Sequence, residues 1–253
     1  MSLARVLLGC SQAACYQVAS TPPNKATTPQ KGRFDVKWHS RISPLVFTIQ
    51  RPLVWMCTLA DFALVLAQQN VFPLPSPIAN FILMTLCPSN KISPLRAATL
   101  STRLAGPDVR VTNLAVLGVT LVALGMLLRL LCYRALGTLF TFDLTILPAH
   151  KLITSGPYGY VRHPAYTGSL LAFLGIILVN LTPGGWIVEC EVLGSGVLGT
   201  TLRMGLFMVM YGYWVAVGVS RARAEDAELR KMFGKEWDRY ATEVPYWFVP
   251  GLI

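Results

Sequence analysis

Apolar residues run along this chain in long unbroken blocks, separated by short stretches rich in Pro, Gly or basic residues. Such blocks lack the polar face of a surface helix and the alternation of a half-buried strand, and they predict buried or membrane-crossing helices. Residues 3–19 (LARVLLGCSQAACYQVA) are apolar but diluted by Ser and Gln, with Arg5 near the start. They suit a signal peptide or a weak first span, and the span is the preferred expectation. A basic linker over 20–44 carries Lys25, Lys31, Arg33, Lys37 and Arg41. Pro52 to Gln68 predicts a helix with Asp61 at its middle, where a carboxylate must find a partner, protonate or face a polar cavity. Prolines at 73, 75 and 77 end it, and Ile78–Cys87 is apolar but too short to cross alone.

A polar linker over 88–110 precedes the clearest span, Asn113 to Cys132. There Gly118, Ala123 and Gly125 would admit close helix packing, and Arg129 is expected to snorkel to the interface. Residues 133–165 turn polar and rich in Gly, Pro and Tyr. Tyr166–Thr182 predicts a further span, closing on the sequon Asn180-Leu181-Thr182, expected to be unused beside Pro183. Met204–Ser220 predicts another. Residues 221–243 then become a charged surface helix broken at Gly234. The last two spans make a hairpin, so 133–165 and 221–253 share one membrane face, expected to be cytosolic. The basic linker 88–110 then falls on the other face, against the usual bias of Lys and Arg, which leaves the number of spans open by about one.

Composition sharpens this picture. The 253 residues are 53% hydrophobic and only 13% charged, with a mean hydropathy of +0.51. Soluble domains carry about 25% charge, so the expected class is an all-α, polytopic helical membrane protein with about 5–7 spans. The net charge is +10, yet residues 221–253 hold six basic and six acidic side chains. The excess lies between the apolar blocks, as Lys and Arg facing anionic lipid would place it. The basic residues form no cluster interleaved with aromatics, which argues against nucleic acid. Six cysteines without a CxxC pair, and three histidines, point to buried small hydrophobes and no metal site.

Two stretches could carry chemistry. Gly156-Pro-Tyr-Gly-Tyr-Val-Arg-His-Pro-Ala-Tyr-Thr-Gly168 packs three tyrosines, an Arg and a His before a span. An interfacial aromatic belt would explain the tyrosines, but the Gly and Pro density fixes a loop shape. Pro164 suits the first turn of a helix, placing Arg162 and His163 at its N-terminus, where anionic groups are favoured. The second is Arg221-x-x-x-Glu225-Asp226-x-x-Leu229, followed by Phe233-Gly234 and Tyr240. On a helix Arg221 and Glu225 share a face, and a solvated ion pair alone would account for them.

Together the two stretches resemble the isoprenylcysteine carboxyl methyltransferase family. Leu128-Arg129, Leu136-Gly137, Phe140-Thr141 and His150-Lys-Leu-Ile-Thr-Ser155 extend the resemblance across residues 113–253. The chain accordingly divides into N-terminal helices and basic linkers (1–112) and a core (113–253), with a cofactor loop 143–168, a hairpin 166–220 and a tail 221–253. The resemblance implies an enzyme of the membrane, expected in the endoplasmic reticulum with its cofactor pocket on the cytosolic side. It would move a methyl group from S-adenosylmethionine to the C-terminal carboxylate of a prenylated cysteine. It further implies that His150, Lys151, Leu152, Ile153, Tyr158, His163, Pro164, Ala165, Tyr166 and Glu225 line the cofactor site, with Asp143 a further polar contact. Arg221 would position the substrate carboxylate. Asp226 stands where the family has a second Glu, and Trp237 where Tyr is common. Residues 1–112 match nothing in the pattern, so the prenyl preference stays open.

The chemistry agrees with these roles. His163 could take the cofactor carboxylate, Glu225 a donor group, and a tyrosine face could lie beside a sulfonium. A C-terminal carboxylate, with a pKa near about 3.5, is already anionic at neutral pH and needs no general base. Two other readings share this frame: a phospholipid amine N-methyltransferase, which would need a base, and an NADPH-dependent sterol reductase. The G-x-G-x-x-G match at Gly194–Gly199 lacks the preceding strand and the later acidic residue of a nucleotide site, and is read as a turn or packing element.

Overall fold

The structure, a computed structural model, describes residues 3–21, 23–24, 38–68, 74–87, 107–140 and 151–252, with the side chains of 38–45 excepted. Among them there are helices and no strands. The helices are α1 (Leu3–Ala19), α2 (Trp38–Gln68), α3 (Ser76–Leu86), α4 (Asn113–Leu136), α5 (Pro164–Asn180), α6 (Trp186–Glu189), α7 (Gly196–Phe233) and α8 (Lys235–Glu243). Short 3-10 turns cover Gly137–Leu139 and Gly156–Gly159. Among the described residues, Val46–Gln68, Asn113–Leu139 and Gly196–Phe233 are long and apolar enough to cross a membrane, and Ser76–Leu86 and Pro164–Asn180 are shorter apolar helices. The all-helical membrane class read from the apolar blocks is the observed one.

Several boundaries differ from expectation. The helix holding Asp61 begins at Trp38 rather than Pro52, and so carries Pro52 in its interior at the cost of one intrahelical hydrogen bond. The last apolar block and the charged segment after it form a single helix, α7, since nothing between Met204 and Phe233 breaks a helix. It stops at Gly234, whose φ of 54° is left-handed, as the sequence suggests. Of the G-x-G-x-x-G stretch, Gly194 and Ser195 precede α7 and Gly196–Gly199 form its first turn, with the amide of Gly199 donating to the Ser195 carbonyl.

Contacts group the residues into two compact units. The first comprises Met1–Ala14, Pro52–Leu121 and Leu174–Met210. Asp61 finds its partner there in Arg5, whose Nε donates to Oδ2 at 3.0 Å while Nη2 donates to the Val179 carbonyl at 2.7 Å. The Trp186 amide donates to Asp61 Oδ1 at 2.7 Å, and its indole donates to the Leu86 carbonyl at 2.7 Å. A Cβ on Gly185 would stand 2.6 Å from Arg5 Nη2, so only glycine fits beside this cluster. Cys87 and Cys190 are disulfide-bonded within an apolar core of Val6, Leu64, Val65, Leu83 and Val109. That corrects the reading of all six cysteines as plain hydrophobes; residues 103 apart in sequence give no spacing signal. Gly118 lets α4 and α5 touch, since a Cβ there would meet the Gly175 carbonyl at 2.7 Å.

The second unit comprises Cys15–Arg51, Val122–Phe173 and Tyr211–Ile253. Its core is aromatic. Phe173 and Trp214 stack with centroids 4.0 Å apart, and Phe47 lies 4.9 Å from Trp214. Arg129 does not snorkel: it is buried and donates to the carbonyls of Ala19 (2.6 Å) and Ala165 (3.2 Å), the hydroxyl of Ser169 (2.5 Å) and that of Tyr133. Four protein acceptors replace the water that snorkelling would have supplied. One of them, Ala165, belongs to the first turn of α5, the turn that carries the site.

Candidate active site

Every side chain of the site lies in the second unit, and short-range geometry explains how each is aimed. The Gly-Pro-Tyr-Gly turn at 156–159 opens with Gly156 at φ 64°. Pro164 starts α5 at the position where a missing amide is harmless. Just before it, the amides of Arg162 and His163 donate to the carbonyls of Tyr246 and Trp247, both at 2.9 Å. Thr167 adds a 2.8 Å bond to the Phe248 carbonyl. The C-terminal segment is thus tied along the start of α5. Gly234 turns the chain so that α8 buries Trp237 and Tyr240, and the Tyr240 hydroxyl donates to the Tyr158 carbonyl at 2.8 Å.

The two motif stretches meet in one polar cluster. Arg221 Nε donates to the Tyr166 hydroxyl at 3.4 Å, and its guanidinium lies 5.9 Å from the Tyr166 ring centre. That hydroxyl donates to Glu225 Oε2 at 3.0 Å. His163 sits between two carboxylates: Nδ1 is 3.5 Å from Glu225 Oε2 and Nε2 is 2.9 Å from Asp226 Oδ1. The Trp247 indole donates to Asp226 Oδ2 at 2.9 Å, and Arg162 lies 3.7 Å from the same oxygen. The His163 and Tyr166 rings stack at 5.6 Å.

Burial opposes the charged imidazole of His163, but hydrogen bonds to Asp226 and Glu225 outweigh it and lift its pKa from 6.5 to about 9. At neutral pH the ring is an imidazolium whose two N–H groups face the chain's own carboxylates. The expectation that His163 takes an external carboxylate therefore gives way, because its charge is already spent. Glu225 is different. Its side chain is 37% exposed, and Oε1 has no partner among the described residues. Two donors nearby are also unfilled: Arg162 Nε and Trp237 Nε1 are buried without a hydrogen-bond partner among the described residues.

Of the residues singled out in sequence, Arg221, Tyr166, Glu225 and His163 converge here. Pro164 is buried at the head of α5, and Ala165 serves as acceptor for Arg129. Tyr158 is buried, its hydroxyl against the Cys132 thiol. Lys151, Leu152 and Ile153 form no bond with the cluster, and Asp143 and His150 lie outside the described residues. Sequence reasoning placed Arg162 beside His163 at a helix N-terminus that favours anions and noted Asp226 as a departure from a pattern, but passed over Trp247 and the role of Trp237. The run Pro245-Tyr-Trp-Phe248, aromatic at the end of a charged tail, was the available signal.

Residues 114–195 match the family model described as phospholipid methyltransferase. A probable protein-S-isoprenylcysteine O-methyltransferase of Oryza sativa subsp. indica is 30% identical over 129 residues, 50% of this chain and 56% of that protein. Protein-S-isoprenylcysteine O-methyltransferase B of Arabidopsis thaliana is 29% identical over 130 residues, 51% of this chain and 55% of that protein. A Delta(14)-sterol reductase of Mus musculus is 28% identical over 100 residues, 40% of this chain and 19% of that protein. The chain spans about half the length of the isoprenylcysteine relatives it matches. The match to the phospholipid methyltransferase model over residues 114–195 and about 30% identity over half of the chain make this protein similar to the isoprenylcysteine carboxyl methyltransferases.

Proposed function

We propose that this protein methylates the C-terminal carboxylate of a prenylated cysteine within a membrane, using S-adenosylmethionine. The carrying observation is the convergence of Arg221, Tyr166, Glu225 and His163 from two distant stretches into one partly open cluster. When bound, S-adenosylmethionine would supply a methyl group on a sulfonium centre, ready for displacement by a carboxylate oxygen.

The residues present fit that cofactor. The open oxygen of Glu225 accepts hydrogen bonds from ammonium or hydroxyl groups. The stacked faces of Tyr166 and His163 offer a flat surface for a cationic or aromatic group. Arg221, on the same helix face as Glu225, presents a planar fork suited to a carboxylate. Tyr166 couples the two roles, since its hydroxyl accepts from Arg221 and donates to Glu225. Arg221 orients an acceptor that is already anionic, so the work of the site is positioning and exclusion of water, and orientation supplies on the order of 7–11 kcal/mol in well-aligned cases. Apolar helices give the prenyl chain a surface without a dedicated cavity. The setting follows the same reading: an endoplasmic reticulum membrane, the site on the cytosolic face, and prenylated protein C-termini as substrates.

The phospholipid methyltransferase match favours a second reading, in which the acceptor is a lipid amine. One experiment separates them. Membranes containing the protein receive methyl-labelled S-adenosylmethionine with either a farnesylated cysteine analogue or phosphatidylethanolamine. Base-labile label on the prenylcysteine is the expected result. Label on the lipid instead would keep the cofactor and overturn the substrate; absence of cofactor binding would favour the reductase alternative.

A further inference from the structure

We propose that Arg162 and Trp237 form a donor pair for a carboxylate, the one at the amino-acid end of the methyl donor. This rests on the methyl-donor reading above and assigns to it a group that none of the cofactor residues implied by the resemblance serves. His163, the sequence-level candidate, has both ring nitrogens turned to Asp226 and Glu225. Glu225 and Asp226 repel an anion. The carboxylate needs donors elsewhere, and two stand unfilled beside His163.

Trp237 is 8% exposed, and its indole N–H is buried with no partner. Arg162 uses Nη2 on the Pro245 carbonyl at 3.2 Å and near Asp226, while its Nε is buried with no partner. The two side chains are neighbours: the guanidinium carbon lies 5.6 Å from the Trp237 ring centre and 5.9 Å from that of Trp247. Buried N–H groups in native proteins are almost always paired. Indole and guanidinium groups donate only, so whatever fills this place must bring acceptors and no donors of its own. A carboxylate meets that requirement, and charge-assisted bonds to guanidinium are among the strongest available to it. Asp226 balances the Nη2 edge of Arg162, leaving the Nε edge to the ligand. That Nε is itself buried from water.

The test is calorimetric binding to the purified full chain, comparing S-adenosylhomocysteine with 5′-methylthioadenosine, which keeps the adenosyl thioether and lacks the amino-acid end. Wild type should prefer S-adenosylhomocysteine. Trp237→Phe keeps the ring and removes the N–H; it should weaken S-adenosylhomocysteine about tenfold, and Arg162→Gln should do so more strongly, with 5′-methylthioadenosine unchanged in both. Equal losses for both ligands would mean a packing role and overturn the proposal. Unchanged affinities in Trp237→Phe would mean the donors hold only water, and would also overturn it. A wild type that binds both ligands equally would sink the donor pair while leaving the adenosyl cofactor in place. A wild type that binds neither would sink the cofactor reading and the pair together.

Discussion

The two units each bury a carboxylate beside a cation, and the two clusters are finished differently. In the first unit Asp61 has both oxygens filled, one by Arg5 and one by the Trp186 amide, Arg5 and Asp61 are 0% and 3% exposed, and only Arg5 Nη1 is left without a partner among the described residues. In the second, Glu225 is bonded through one oxygen only and remains 37% exposed, with unfilled donors nearby on Arg162 and Trp237. Composition does not distinguish the two clusters; the filling of their carboxylate oxygens does. A closed carboxylate has no acceptor left to offer, whereas an open, partly exposed one keeps an acceptor that a ligand can reach.

The comparison breaks most readily at Asp61. Replacing it with Ala leaves Arg5 charged in an apolar surrounding, with an expected loss of about 3–5 kcal/mol. A large fall in the thermal midpoint in detergent should result, while the folded fraction still binds S-adenosylhomocysteine. Replacing Arg5 and Asp61 together with Met and Leu should recover much of the midpoint, because no lone charge is left behind. If Asp61→Ala instead kept its midpoint and lost ligand affinity, the first cluster would be functional and the contrast would fail.

How far the sequence reveals each cluster follows from what each depends on. Asp61 in the middle of an apolar block advertises that a partner must exist, yet Arg5 lies 56 residues away and nothing local identifies it. The motif of the candidate site is legible because neighbours do the work: Pro164 starts a helix, Gly234 stops one, and Arg221 and Glu225 share a face by helical spacing. The tail contacts are tertiary. Trp247 reaches Asp226 only because the chain folds back along Arg162 and His163, and no periodicity encodes that return. Arg129 misleads for the same reason. Its position near a span end predicts snorkelling, but Ala19, Tyr133, Ala165 and Ser169 supply the acceptors.

A second, smaller effect comes from His163. Its folded pKa of about 9 lies above the ordinary 6.5. The stabilisation from its imidazolium is therefore complete below pH 6.5 and is lost as pH rises through 9. The full shift corresponds to about 3 kcal/mol at most. Thermal midpoints measured from pH 6 to pH 9.5 should decline across that window. Asp226→Asn, which removes one facing carboxylate, should flatten the decline, and an unchanged slope in that variant would remove Asp226 as the anchor of the ring.

The finest contrast concerns Trp247, which touches only the closed side of the site. Its indole N–H bonds to Asp226 Oδ2, the carboxylate that is 12% exposed, rather than to the open Glu225. Trp247→Phe keeps the ring against Arg162 and deletes one hydrogen bond to a charged group, worth about 1.5–3 kcal/mol when buried and less at this partial exposure. Asp226 retains His163 and Arg162 as partners, so the loss should sit at or below the lower end of that range. Saturation as the criterion makes a specific demand here. A modest drop in thermal midpoint should accompany unchanged affinity for both S-adenosylhomocysteine and 5′-methylthioadenosine, whereas Trp237→Phe, on the other side of Arg162, should do the reverse. Two indoles flank one guanidinium at nearly equal distance, and only the one whose N–H is unfilled should register the ligand.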